Sequence, residues 1–336
     1  MRRSAIAGAA KVVLSLGVLG AILAHVGVEE VIVVIGGMSK GFLGLAVALI
    51  LAKTMVRALN WFQLIRASAP DVRMRSVAYA YFVGGFFGSL LPSTLGTDVA
   101  RSTVIGMRGR ESIETYLAST VLLNLLSLMV ISAAALISAV FLFARPDPPA
   151  GIIAFSAAAA LACLLGMLLL WIMASRHVHL PLAVAARPTS TFLSSVKKRI
   201  VRFITALTVL PRGRRLAQTV IVAALGYSMR SLGWLALLAA ADVRISWAVL
   251  LTIGPLVQLG ALLPVSVLGF GGHQAISVFL LAQWGVPAEH ALAVSLLQST
   301  IAVLLNASGC AVYLAGGKLF LTSKCAGDRA DEKFPV

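Results

Sequence analysis

Asp98 and Arg101 stand three residues apart, directly after Leu90-Leu91-Pro92-Ser93-Thr94-Leu95-Gly96-Thr97. That spacing lets a carboxylate and a guanidinium pair on one face of a helix. Asp98 then holds Arg101 ready for an anion rather than meeting a ligand itself. Arg230 lies well inside the apolar run 216–241, and Arg57 lies towards the end of the run 41–60. An ionisable side chain in a membrane-length apolar run is costly enough to mark a functional position. Arg57 and Lys53 also have the bland option of snorkelling to the membrane surface. His273 is of the type that titrates near neutral pH, although a hydrogen-bonded packing role is the better reading of it. The residues for catalysis are not in evidence. We find no HExxH, no Walker loop, no G-x-S-x-G and no paired carboxylates for Mg²⁺. Cys163, Cys310 and Cys325 have no metal-ligand spacing. The expectation is an anion-binding protein that is not an enzyme, with no catalytic residue, metal or cofactor.

Two breaks in apolar sequence must position these groups. Pro92 removes a backbone donor and Gly96 admits unusual dihedrals, so a helix over 76–92 stops there. Thr97 and Asp98 are candidate N-caps for the helix that follows. The second break runs Pro264-Val265-Ser266-Val267-Leu268-Gly269-Phe270-Gly271-Gly272-His273-Gln274, with a helix expected from about Gly272. A membrane protein tolerates such breaks where protein or a wet cavity satisfies the freed backbone groups. Two helix N-termini converging near mid-membrane would make an anion site suited to phosphate. The alternative is a pair of glycine-rich kinks that only allow close helix packing. The candidate substrate-binding residues are Arg57, Pro92, Gly96, Thr97, Asp98, Arg101, Arg230, Pro264, Gly269, Gly271, Gly272 and His273.

The composition fixes the solvent. Of 336 residues, 60% are hydrophobic and 12% charged, with mean hydropathy +0.97. A soluble domain has no use for so much apolar sequence, because much of its surface must be polar. Several runs reach the roughly 20 apolar residues that cross a bilayer. The net charge of +16 reflects positive-inside bias and attraction to anionic lipid rather than nucleic-acid binding. Arg2 and Arg3 precede an apolar run from Ala5 to Val26. It is long for a signal peptide and no A-x-A-like site follows, so it reads as an uncleaved helix.

Apolar segments fall near 5–27, 41–60, 76–92, 115–143, 150–174, 216–241, 246–268, 270–284 and 288–316. Basic residues crowd some connections, above all 175–215, which has nine Lys/Arg and no acid. The charges alternate correctly if 1–4, 56–75, 101–114, 175–215 and 317–336 are cytoplasmic. That requires 76–92 to enter and leave on the inner side and 246–284 on the outer side. The weakest point is 246–268, which is long enough to span. Within 175–215, Lys197-Lys198-Arg199 and Arg202 interleave with Phe192, Ile200, Val201, Phe203 and Ile204. This is the pattern of an amphipathic helix on an anionic leaflet, or equally of a topology-setting basic loop.

The halves repeat. Arg57-Ala58-Leu59-Asn60-Trp61 matches Arg230-Ser231-Leu232-Gly233-Trp234 at 173 residues' distance, and Leu95-Gly96 matches Leu268-Gly269 at the same offset. Leu90-Leu91-Pro92 matches Leu262-Leu263-Pro264 at 172. The charge-derived topology gives the paired segments opposite orientation, which makes the repeat inverted, as in alternating-access transporters. The fold expected is all-α and polytopic, with two inverted repeats, about six spanning helices and two re-entrant or broken helical hairpins. It forms a single transmembrane domain over 1–320. Repeat one covers about 1–143, repeat two about 150–316, and a mobile cytoplasmic tail 321–336.

In this order and spacing the chain resembles the lysylphosphatidylglycerol synthase transmembrane family, also called flippase-like or uncharacterised protein family 0104. The carrying residues are Arg57 to Trp61, then Ala78-Tyr79-Ala80-Tyr81-Phe82-Val83-Gly84 leading to Pro92 and to Gly96-Thr97-Asp98-Val99-Ala100-Arg101. Late in the chain come Pro264, Gly269-Phe270-Gly271 and Trp284-Gly285-Val286-Pro287. The resemblance implies an integral membrane protein that moves lipids or lipid-linked intermediates between leaflets. In the multiple peptide resistance factor such a domain is fused to a soluble aminoacyl-transferase, which is absent here, so synthase activity is not expected. The family usually has Gly-Gly-Asp where Gly96-Thr97-Asp98 stands here. It often has Glu-Arg at Leu123-Asn124 and Arg-Glu at His273-Gln274. The function expected is translocation of an anionic phospholipid or isoprenoid-linked lipid in a bacterial inner membrane, with both termini cytoplasmic. The alternative is a scaffold for a glycosyltransferase or lipid-modifying enzyme. Partners are membrane lipids and the anionic leaflet surface, and no nucleic acid.

Overall fold

The structure is a computed structural model that describes residues 17, 19–89, 94–107, 109, 111–143, 158, 161, 165–166, 168, 213–260 and 270–327. Its described residues form helices and no strand. In chain order these are α1 (Leu19–Val26), α2 (Val28–Gly37), α3 (Lys40–Ser68), α4 (Met74–Ser89), α5 (Thr94–Gly106) and α6 (Ile113–Phe143). After the central stretch come α7 (Arg214–Ala240), α8 (Trp247–Gly260), α9 (Gly272–Ala282) and α10 (Ala288–Gly327). Four of them, α3, α6, α7 and α10, contain a stretch long and apolar enough to cross a membrane alone. The α1–α2 pair passes that test only when its two members are taken together, and they bend by 81°. The protein is an all-α polytopic membrane protein.

The bend corrects the expectation of a simple helix over 5–27 followed by a loop. Gly27, at φ 93°, turns the chain as only glycine does comfortably, and 28–37 is helical. The expected spanning run 150–174 lies almost wholly outside the described residues, as does the basic segment 175–212. The tail also differs from expectation: α10 continues through Gly327, because no proline interrupts 316–327.

A helical hairpin stands at the first break. α4 has 16 residues and α5 has 13, each short of the roughly 20 needed to span. A Cβ on Gly84 would stand 2.6 Å from the backbone N of Arg101, and one on Gly88 2.8 Å from Thr97 Cβ. As residue number rises in α4 it falls in α5, so the two run antiparallel. Bare glycine surface lets their backbones touch. α5 begins at Thr94, not at Thr97 or Asp98. Those two residues therefore lie inside the helix and do not cap it. In the second pair, α8 and α9 have 14 and 11 described residues, and the expected run 246–268 lies outside the described residues from 261 onward. Pro92, Pro264 and Gly269 fall outside the described residues.

Two long helices tie the molecule together. A Cβ on Gly226 would meet Val56 Cγ1 at 3.5 Å, and one on Gly233 would meet Ile50 Cγ1 at 3.4 Å. At the far end Ser39 N donates to the carbonyl of Ala240 at 2.9 Å. Hence α3 and α7 pack antiparallel, the relation that an inverted duplication of Arg57–Trp61 and Arg230–Trp234 needs. One apolar core gathers Val31, Ala46, Ile50, Trp234, Leu237, Leu250, Leu280 and Leu292. The other gathers Trp61, Ile65, Val77, Tyr81, Ile105, Tyr116 and Leu126, with Leu216 and Val220 against it. Each long helix thus gives one end to each core.

Candidate functional site

α3 and α7 are patterned inside out. On α3, Leu51, Met55 and Leu59 are exposed and recur every four residues as the lipid-facing stripe. Lys53, Arg57 and Asn60 occupy the opposite face. On α7, Ile221 and Leu225 face outward, while Gly226, Tyr227 and Arg230 turn inward. The inward faces meet Tyr81, Phe82, Arg101, Leu123, Ser127 and Asn306 around a cavity of about 430 Å³. Lys53, Arg57, Arg101 and Arg230 all line it.

The geometry around Arg101 is fixed from three sides. Its Nε donates to the carbonyl oxygen of Tyr81 at 3.2 Å, and its Cζ sits 3.9 Å over the Tyr81 ring, a cation–π contact. Its NH1 lies 3.8 Å from Asp98 Oδ1, the expected i, i+3 pair. The other carboxylate oxygen of Asp98 accepts from Asn124 Nδ2 at 2.6 Å. The same amide's Oδ1 accepts from Arg57 NH2 at 2.6 Å, while Arg57 NH1 reaches Ser127 Oγ at 3.4 Å. Asn124 therefore joins α3, α5 and α6 through one polar chain. Behind it, Trp61 Nε1 donates to Ser119 Oγ at 3.0 Å, and Trp61 lies 6.4 Å from the Tyr81 ring. Asn60 is 2% exposed, lines the cavity, and has an Oδ1 with no hydrogen-bond partner among the described residues.

Four cations face one space, and Asp98 is the carboxylate within ion-pair reach of any of them among the described residues. Two like charges about 9 Å apart repel by about 2 kcal/mol at an effective dielectric of about 20. An anion in the middle relieves every such pair at once. A second cavity, of about 510 Å³, lies where α3 gives way to α4 and α6 begins. Its Asp71, Arg73 and Glu111 are mixed in sign and select no anion.

Several expected site residues are elsewhere. Gly96, Thr97, Gly271, Gly272 and His273 do not line the cation cavity, and α9 contributes nothing to it. Arg101 is seven residues into α5, about 10 Å from its start at 1.5 Å per residue. The cavity is thus built from side chains rather than from two converging helix N-termini. The cause is the early start of α5 and the packing of α9 on α8 and α10. α9 does begin at Gly272, after Gly271 at φ 95°. His273 is buried, 5.9 Å from the Trp234 ring, and packs there. Lys53, which lines the cavity, and Asn124, which holds Arg57 and Asp98 beside it, were not among the expected site residues. Lys53 was read as snorkelling, although its i, i+4 spacing from Arg57 was a signal. Asn124 is neutral, and no pattern in the sequence links it to Asp98 and Arg57.

No curated protein and no solved structure matches the chain. Residues 8–309 match the family described as the lysylphosphatidylglycerol synthase TM region. That match takes in α1 to α9 and most of α10, including every residue of the cation cavity. The chain belongs to the lysylphosphatidylglycerol synthase transmembrane family.

Proposed function

We propose that the protein carries an anionic lipid between the two leaflets of a bacterial inner membrane, with both of its own termini on the cytoplasmic side. The observation that supports this is a cluster of four cations around one cavity, Lys53, Arg57 and Arg230 on the membrane-length helices α3 and α7 and Arg101 on the short helix α5. A bare ion moved into hydrocarbon costs tens of kcal/mol, which keeps phosphate headgroups in their own leaflet. Guanidinium groups replace the lost water, because each offers a planar fork of donors to phosphate oxygens. Arg101 is pre-aimed by Tyr81 and Asp98, and Arg57 by Asn124, so little side-chain ordering remains at the moment of binding. The apolar walls, Val222, Leu123, Ile131 and Leu305, suit the upper part of an acyl or prenyl chain. The role is that of a carrier rather than an enzyme.

The test is leaflet exchange of a fluorescent phosphatidylglycerol in liposomes holding the full chain. Exchange is expected to exceed that of protein-free liposomes. The double variant R57Q/R101Q is expected to lose at least about tenfold in rate, equivalent to about 1.4 kcal/mol. Equal rates with and without protein, for every anionic lipid tried, overturn the reading.

A further inference from the structure

The charge count of the cavity narrows the headgroup. Lys53, Arg57, Arg101 and Arg230 supply four positive charges, and Asp98 removes one, leaving a formal surplus of three (4 − 1). A zwitterionic lipid brings no net charge to that surplus. A phosphodiester such as phosphatidylglycerol brings one negative charge and leaves the remaining cations repelling each other. Two linked phosphates bring at least two, and a terminal phosphate adds to this as it ionises near neutral pH.

The cations also reach the cavity from three different helices. Arg57 and Lys53 come from α3, Arg101 from α5 and Arg230 from α7. A single phosphate offers these three walls oxygens on one phosphorus centre within a space of about 430 Å³. A diphosphate is longer by one P–O–P link and presents oxygens at both ends. Asn60, buried with a partnerless Oδ1 on the same wall, accepts a hydrogen bond from a donor such as a hydroxyl or a protonated phosphate oxygen. Resting on the lipid-carrier reading above, we infer that the ligand of this cavity is a diphosphate ester, with its lipid chain leaving along the apolar wall.

The test uses the full chain in nanodiscs and measures binding by the shift in thermal midpoint across a ligand titration. The probes are farnesyl diphosphate, farnesyl monophosphate, phosphatidylglycerol and inorganic pyrophosphate. Farnesyl diphosphate is expected to bind at least about tenfold tighter than the monophosphate and tighter than pyrophosphate. R230Q is expected to erase most of the preference between diphosphate and monophosphate, and R230K to restore part of it. Since R230K keeps the charge, it separates lost recognition from lost folding. Equal affinity for the two farnesyl esters overturns the diphosphate assignment and leaves the lipid-carrier reading standing. Pyrophosphate binding as tightly as the farnesyl ester keeps the diphosphate chemistry but removes the lipid. Binding of none of the four overturns both readings.

Discussion

Asn124 is the residue on which the polar arrangement turns. Its amide accepts from Arg57 and donates to Asp98, both at 2.6 Å, so truncation takes the shortest hydrogen bond from a charge on either side. Leaving such groups unsatisfied costs about 1–3 kcal/mol. The variant N124L is therefore expected to melt earlier in detergent by that amount, and to weaken anionic-lipid binding because Arg57 loses its aim. A melting curve that superimposes on wild type counts against the network. The arginines were legible in the sequence because a charge in an apolar run stands out against its cost. Asn124, Asn60 and Tyr81 were not, since neutral polar and aromatic side chains are unremarkable there. Their roles arise when α6, α3 and α4 are brought side by side, which is a tertiary event.

At the scale of elements, the α4–α5 hairpin depends on missing side chains. G84A places a methyl against the backbone of Arg101, and overpacking of this kind costs about 1–3 kcal/mol. It is expected to lower the melting temperature and to slow lipid exchange, because Arg101 moves with α5. The contrasting variant is G44A in α3, where a Cβ meets nothing within 4 Å. It should leave both readouts as they are. The existence of this hairpin followed from length, breaker residues and the alternation of basic connections. Its helix start did not. In the sequence Ser93-Thr94 competes with Thr97-Asp98 for the first turn, and all four residues are of types that cap well. The bend at Gly27 was equally hidden, since apolar sequence on both sides of one glycine reads as a single run.

At the scale of the whole molecule, α3 and α7 are antiparallel partners contributed by the two halves of the chain. A cysteine pair V56C/G226C, in a background lacking Cys163, Cys310 and Cys325, is expected to cross-link on oxidation. A Cβ at 226 lies 3.5 Å from Val56 Cγ1, within a plausible range for the bridge. A pair that places the same cysteines on helices running in parallel, V56C/A240C, is expected to remain reduced. Antiparallel packing here was readable from the repeat and the charge alternation together. The crossing of the two cores was not, because it depends on which end of each helix meets which neighbour.

That crossing makes α3 and α7 behave as levers. Each has one end seated in the core that holds Trp234 and the other in the core that holds Trp61, with the cationic space at mid-length. A stiff rod seated at both ends cannot tilt at one of them alone. A movement of either rod is therefore felt in both cores at once.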